Sequence, residues 1–302
     1  MNILKIKKII RTSLLATTVL IAFYGCHTAT NDSENISGED TSATKHDLKV
    51  NKTKNIFYSI PSPIETALLL KKAGATFNKG YLNPIDNLSK YTSLESRALN
   101  LGVYGTDLSF ANIFNQNQES ILYLKSANNL AGGLGISGAF GQQTLARMEA
   151  NMNNQDSLLS IIADAFWATD ASLKENGRPN ISSLIIVGGW VEGLFIATQI
   201  AKTTNNQGII NRIAEQKLSL DNMISLIESY EADEHITPVL TQLKDLKTIF
   251  DGMEITKSKT EVATNKKTGV ATIGNKTKIA MSQEQLTSIY SKIETIRNKI
   301  IN

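Results

Sequence analysis

Cysteine is almost absent: Cys26 is the only one in 302 residues. That excludes an internal disulfide and a cysteine-built zinc site. Histidine is nearly as scarce, with His27, His46 and His235. No H-E-x-x-H occurs, and Asp233, Glu234 and His235 in EADEHIT read as the acidic start of a helix, where negative charge belongs. No metal site is expected. A surplus of one charge is also lacking. Residues 1–25 carry four of the 31 basic residues and none of the 28 acidic ones, which leaves 27 basic against 28 acidic in the rest. A near-neutral chain offers no broad basic surface to a phosphate backbone, so no nucleic-acid partner is expected.

Catalytic signatures are missing too. There is no Walker loop, no calcium loop and no fixed-period repeat. Gly133-Leu134-Gly135-Ile136-Ser137-Gly138 fits G-x-G-x-x-G, but a polar helix precedes it where the dinucleotide fingerprint needs a strand. It reads as an interhelical loop. The same stretch lacks the G-x-S-x-G spacing of a nucleophile elbow. No cofactor and no catalytic residue is assigned.

What is present begins at the N-terminus. Lys5, Lys7, Lys8 and Arg11 form a basic region, and Ser13 to Tyr24 form an apolar run of twelve residues, short for a bilayer span but suited to a signal peptide. The run ends in Phe23-Tyr24-Gly25-Cys26. This resembles the lipobox of bacterial lipoproteins, over residues 1–26. The resemblance implies cleavage before Cys26 and multiple acylation of that cysteine, palmitate included. Several acyl chains anchor a protein stably where one does not. The membrane is then the first expected partner, and the location is the bacterial cell envelope, with the mature domain outside the cytoplasm.

Residues 26–55 are rich in Thr, Asn, Ser, Asp and Lys and contain no aromatic. They are expected to form a flexible tether, because they cannot bury enough apolar surface to order themselves. Residues 56–302 are long enough for one domain with a sizeable core.

That domain is expected to be all-α, with antiparallel helices around a central apolar one at about 181–203. Ser62-Pro63 caps and opens a helix running to Lys72, and Gly74 stops it. Further helices are expected at about 92–100, from Thr106, 117–131, 139–152, 155–175, 207–216, 220–230 and 237–250, by apolar spacing and breakers. Residues 257–280 alternate Thr, Val and Ile with Lys and Asn, and predict a small β-hairpin or three-stranded meander. Its six lysines against one glutamate read as edge protection. A capping box at Ser282 and Gln285 starts the last helix, to about Ile300.

Candidate ligand residues are few. Within 182–201, SSLIIVGGWVEGLFIATQIA, the one ionisable residue is Glu192. A bilayer span is possible by length, but a mid-span acid is costly and paired glycines weaken the helix. A central buried helix explains apolarity on every face, with Gly188 and Gly189 admitting a close neighbour. Glu192 then needs a polar partner, or it lines a pocket with Gln199 on the same stripe. Gly102 and Gly105 bracket Tyr104 in an expected loop before Asp107. Tyr104, Asp107, Asn112 and Asn115 suit a polar ligand, although capping explains Thr106 and Asp107 without one. Trp167 and Trp190 suit either stacking or core packing. The leading reading is a non-enzymatic binding module for an unknown protein or small molecule. Its alternatives are a hydrolase using Glu192 with Asp107 or Asp164, and a purely structural envelope protein.

Overall fold

The structure is a computed structural model, and it describes residues 60–136, 138–257, 261–264, 271–274 and 277–302. The expected signal peptide, Cys26 and the tether lie outside the described residues, as does Ser137. Among the described residues there are nine α-helices: α1 Pro63–Lys72, α2 Leu94–Ile113, α3 Asn117–Gly133, α4 Gln142–Ala150, α5 Gln155–Glu175, α6 Pro179–Thr204, α7 Gln207–Glu228, α8 Thr237–Asp251 and α9 Gln283–Ile301. The fold is all-α, as expected.

The chain's own punctuation sets these elements. Ser62 accepts from the Glu65 amide while Glu65 accepts from the Ser62 amide, a reciprocal cap that fixes the start of α1. Gly74 ends that helix with φ at +91°, which a residue with a side chain rarely adopts. Ser282 and Gln285 build the same cap on α9.

α6 is the central helix. It packs against α1, α2, α5, α7 and α9. By length and composition it could cross a membrane, yet 94% of its apolar window is buried inside the protein. A helix apolar on every face belongs inside a ring of others.

α2 corrects the sequence reading. The expected loop around Gly102 and Gly105 does not exist; one helix runs from Leu94 to Ile113, and every residue from Ala98 to Ile113 is buried. Its glycines serve contact. A Cβ on Gly102 would overlap the Ile185 carbonyl of α6, one on Gly188 would overlap the Leu99 carbonyl, and one on Gly105 would overlap the Phe166 ring of α5. Nor does Thr106 cap a helix: its hydroxyl donates to the Gly189 carbonyl at 3.0 Å, across the α2–α6 crossing. Backbones meeting this closely gain dispersion contacts along both helices. The expected break at 216–220 is also absent, since α7 continues to Glu228.

Before α9, strands Glu254–Lys257 (β1), Glu261–Thr264 (β2), Ala271–Gly274 (β3) and Thr277–Ala280 (β4) pair antiparallel, β1 with β4 and β2 with β3. The nested order is that of a hairpin, and among the described residues no three-stranded meander forms. Ile279 turns inward against the helical core.

Candidate functional site

Two separate features compete for the role of site: a charged cluster in the core and an apolar cleft on one side.

The cluster answers what Glu192 does. Both Glu192 and Asp107 are 0% exposed. Arg297, from α9, points in from the C-terminal end of the chain, itself 7% exposed. Its Nε donates to Glu192 Oε2 at 2.9 Å and its Nη2 to Oε1 at 2.9 Å, a two-pronged pair. The guanidinium also lies over the Phe195 ring, 4.4 Å from its centre, and Nη2 reaches the Tyr81 carbonyl at 3.4 Å.

Asp107 reaches Glu192 from α2. Its Oδ2 accepts from the Asn83 amide at 3.1 Å, while Oδ1 has no donor in the protein. One guanidinium cannot neutralise two buried carboxylates. Burial, and then the neighbouring Glu192, raise the Asp107 pKa well above the usual carboxylate range, against the lowering effects of Arg297 and the Asn83 amide. Burial beside a second acid therefore favours the protonated form of Asp107, which reduces the uncompensated negative charge in the cluster.

A polar shell completes it. Asn83 donates to the Tyr91 hydroxyl at 2.9 Å, and Tyr91 donates to the Ile301 carbonyl at 3.1 Å. Asn100 donates to the Ile300 carbonyl at 2.8 Å. Tyr123 donates to the Asn83 carbonyl at 3.1 Å and Tyr104 to the Pro84 carbonyl at 3.0 Å. Burial pushes the Tyr104 and Tyr123 hydroxyls far above their ordinary range, so both stay protonated as donors. The shell ties the last turn of α9 to α2 and to the segment before it.

The cleft lies between the entering chain, α5 and α6, with a volume near 180 Å³. Pro63, Phe166, Trp167, Ile185, Ile186 and Trp190 make its walls, with Asp170 and Ser182 as its polar end. Trp190 is buried and donates to Gln216 at 3.0 Å, which fixes its ring; Trp167 stands at the rim, 51% exposed. Ser182 donates to one oxygen of Asp170, and Lys174 to the other at 2.7 Å.

The expected residues thus divide. Trp167 and Trp190 meet at the cleft. Glu192 and Asp107 meet in the sealed interior, and Tyr104 joins their shell. Gln199 is half-buried on α6, with a buried Nε2 that has no partner. Asp164 does not pair with Glu192: it lies on the surface, 3.2 Å from Arg147. Sequence reasoning missed Arg297, Asn83 and Asn100. For Arg297 a signal existed, because it continues the buried stripe of Ile289, Ile293, Ile296 and Ile300 on α9. No protein family, curated protein or solved structure matches the chain.

Proposed function

We propose that the chain is a lipid-anchored protein of the bacterial cell envelope, held to the membrane by Cys26, whose helical domain is a non-enzymatic binding module for a small apolar ligand. The cleft carries this reading. Ligand sites are concave, mostly apolar and furnished with a few oriented polar groups. Here two tryptophans and a proline-rich entrance surround an apolar hollow, with Asp170 and Ser182 as the polar end.

The hydrolytic alternative needs its paired acids to meet a substrate and water. Asp107 and Glu192 do stand together, but at 0% exposure and with Glu192 held by Arg297. That burial supports a structural role for the pair. A purely structural protein, in turn, has no use for a cleft.

The test is a titration of the Cys26→Ala protein lacking residues 1–25 with N-phenyl-1-naphthylamine, which brightens in apolar surroundings. Saturable binding is expected. Ala163→Trp, which fills the cleft from α5, should remove it. Equal binding by both proteins would defeat the reading.

A further inference from the structure

Among the described residues, Asp170 is the one ionisable side chain in the wall of the apolar cleft. Its side chain is 14% exposed and borders the hollow, so a ligand can touch it, unlike the sealed acids Glu192 and Asp107.

The hydrogen-bond balance of the wall is uneven. Three of its donors are spent inside the protein. Ser182 gives its hydroxyl proton to Asp170, Thr169 gives its own to the Ala165 carbonyl at 2.8 Å, and the Trp190 ring N–H goes to Gln216. Accepting capacity remains. A carboxylate has about four acceptor sites, and Ser182 and Lys174 use one each on Asp170. Lys174 is partly exposed, pairs from one turn away and takes no part in the wall. Beside this acceptor stand Phe166 from α5 and Trp190 from α6. Aromatic rings carry partial negative charge on their faces and attract organic cations.

We propose that the cleft selects a lipophilic amine: an apolar body bearing a protonated amino group that seats on Asp170. This rests on the cleft being a ligand site and names the chemistry it takes. The ammonium donates to the remaining acceptor sites of Asp170, while the body fills the apolar hollow. The volume, near 180 Å³, is below the ~300–1,000 Å³ of drug-sized pockets, which limits that body to about two fused rings. An anionic ligand meets Asp170 as a like charge, and an apolar ligand without a donor leaves its acceptors unmet. Lys174 yields to the ligand, because an exposed pair one turn apart is weak and a lysine head turns readily to water.

The experiment titrates the Cys26→Ala protein lacking residues 1–25 by calorimetry, near neutral pH and at low salt, with three ligands of one shape: 1-naphthylmethylamine, 1-naphthylmethanol and 1-naphthoate. The amine should bind tightest, by about tenfold or more. Asp170→Asn keeps an acceptor for Ser182 and removes the charge. The amine's advantage should then fall to about twofold or less, with the alcohol binding as before. Three ligands that bind alike, or an acid that binds best, overturn the amine proposal and leave the cleft reading standing. So does an Asp170→Asn protein that keeps the preference. If only the neutral dye N-phenyl-1-naphthylamine binds, the amine proposal alone falls; if nothing binds, both fall. Should Asp170→Asn fail to fold, Lys174→Gln decides. With a competing cation gone, the amine should bind several-fold tighter and the alcohol unchanged, and an unaltered ratio overturns the proposal.

Discussion

Arg297 grips Glu192 with two hydrogen bonds of 2.9 Å, and the buried Asp107 carboxyl stands beside this pair as a second acid. The pair ties α6 to α9, and Asp107 sets a second acid from α2 against the same charge. Removing one partner leaves the others buried without compensation. Glu192→Leu should therefore cost about 3–5 kcal/mol, the usual loss when a buried pair is broken from one side. Glu192→Gln should cost less, because Asp107 can then give up its proton and face Arg297. Urea denaturation of both proteins measures this. Equal losses would mean that Asp107 does not compensate.

Asp107 also makes stability depend on pH. In the unfolded chain its carboxyl titrates near ~3.9. In the folded chain the pKa is raised, so above that pH the native state holds a proton the unfolded state has released. Stability contributed by this group is therefore complete at low pH and falls as pH rises toward the folded pKa. Asp107→Asn keeps an acceptor for the Asn83 amide but does not titrate. Relative to it, the native chain should lose up to ~1.4 kcal/mol per pH unit above pH ~4. Parallel stability curves for the two proteins between pH 4 and 8 would contradict a raised Asp107 pKa.

The α2–α6 crossing should tolerate no side chain at its glycines. A Cβ at Gly102 or Gly188 runs into a carbonyl of the opposite helix, and backbone cannot step aside as a side chain can. Either alanine should cost ~1–3 kcal/mol or more, the range for overpacking. Gly132, on α3, has open space around it, and alanine there should stabilise by up to ~1 kcal/mol through helix propensity. Thermal melts of the three variants check the contrast.

The anchor has its own prediction. Intact mass of protein taken from the native envelope should show residues 1–25 gone and acyl mass added at Cys26. Cys26→Ala should release the domain or leave the precursor uncut. Mature protein that keeps residues 1–25 would refute the anchor.

Much of this architecture is legible in the sequence. α6 announces itself as an apolar run with one acid, and capping chemistry at Ser62 and Ser282 marks two helix starts to the residue. α2 does not, because glycine has two meanings. At Gly74 it supplies a positive φ; at Gly102 and Gly105 it supplies room for a neighbour, and local sequence does not distinguish them. Thr106 and Asp107 misled for the same reason, since cap residues and residues that bond across a helix crossing are the same types. The partner of Glu192 lies more than a hundred positions away, so only the place of Arg297 on the buried isoleucine stripe of α9 points to it. The cleft is half legible: both tryptophans stand out in the sequence, while Pro63, Phe166 and Ile186 join them only once α1, α5 and α6 are packed.

The central claim is that the acid cluster holds the fold while the cleft binds. The affinity of Glu192→Gln protein for N-phenyl-1-naphthylamine, measured beside its melting temperature, tests it most directly. The account predicts a lower melting temperature and an affinity within about twofold of the unaltered chain, a difference below ~0.5 kcal/mol. Lost binding at an unchanged melting temperature would place Glu192 in the ligand site and contradict it.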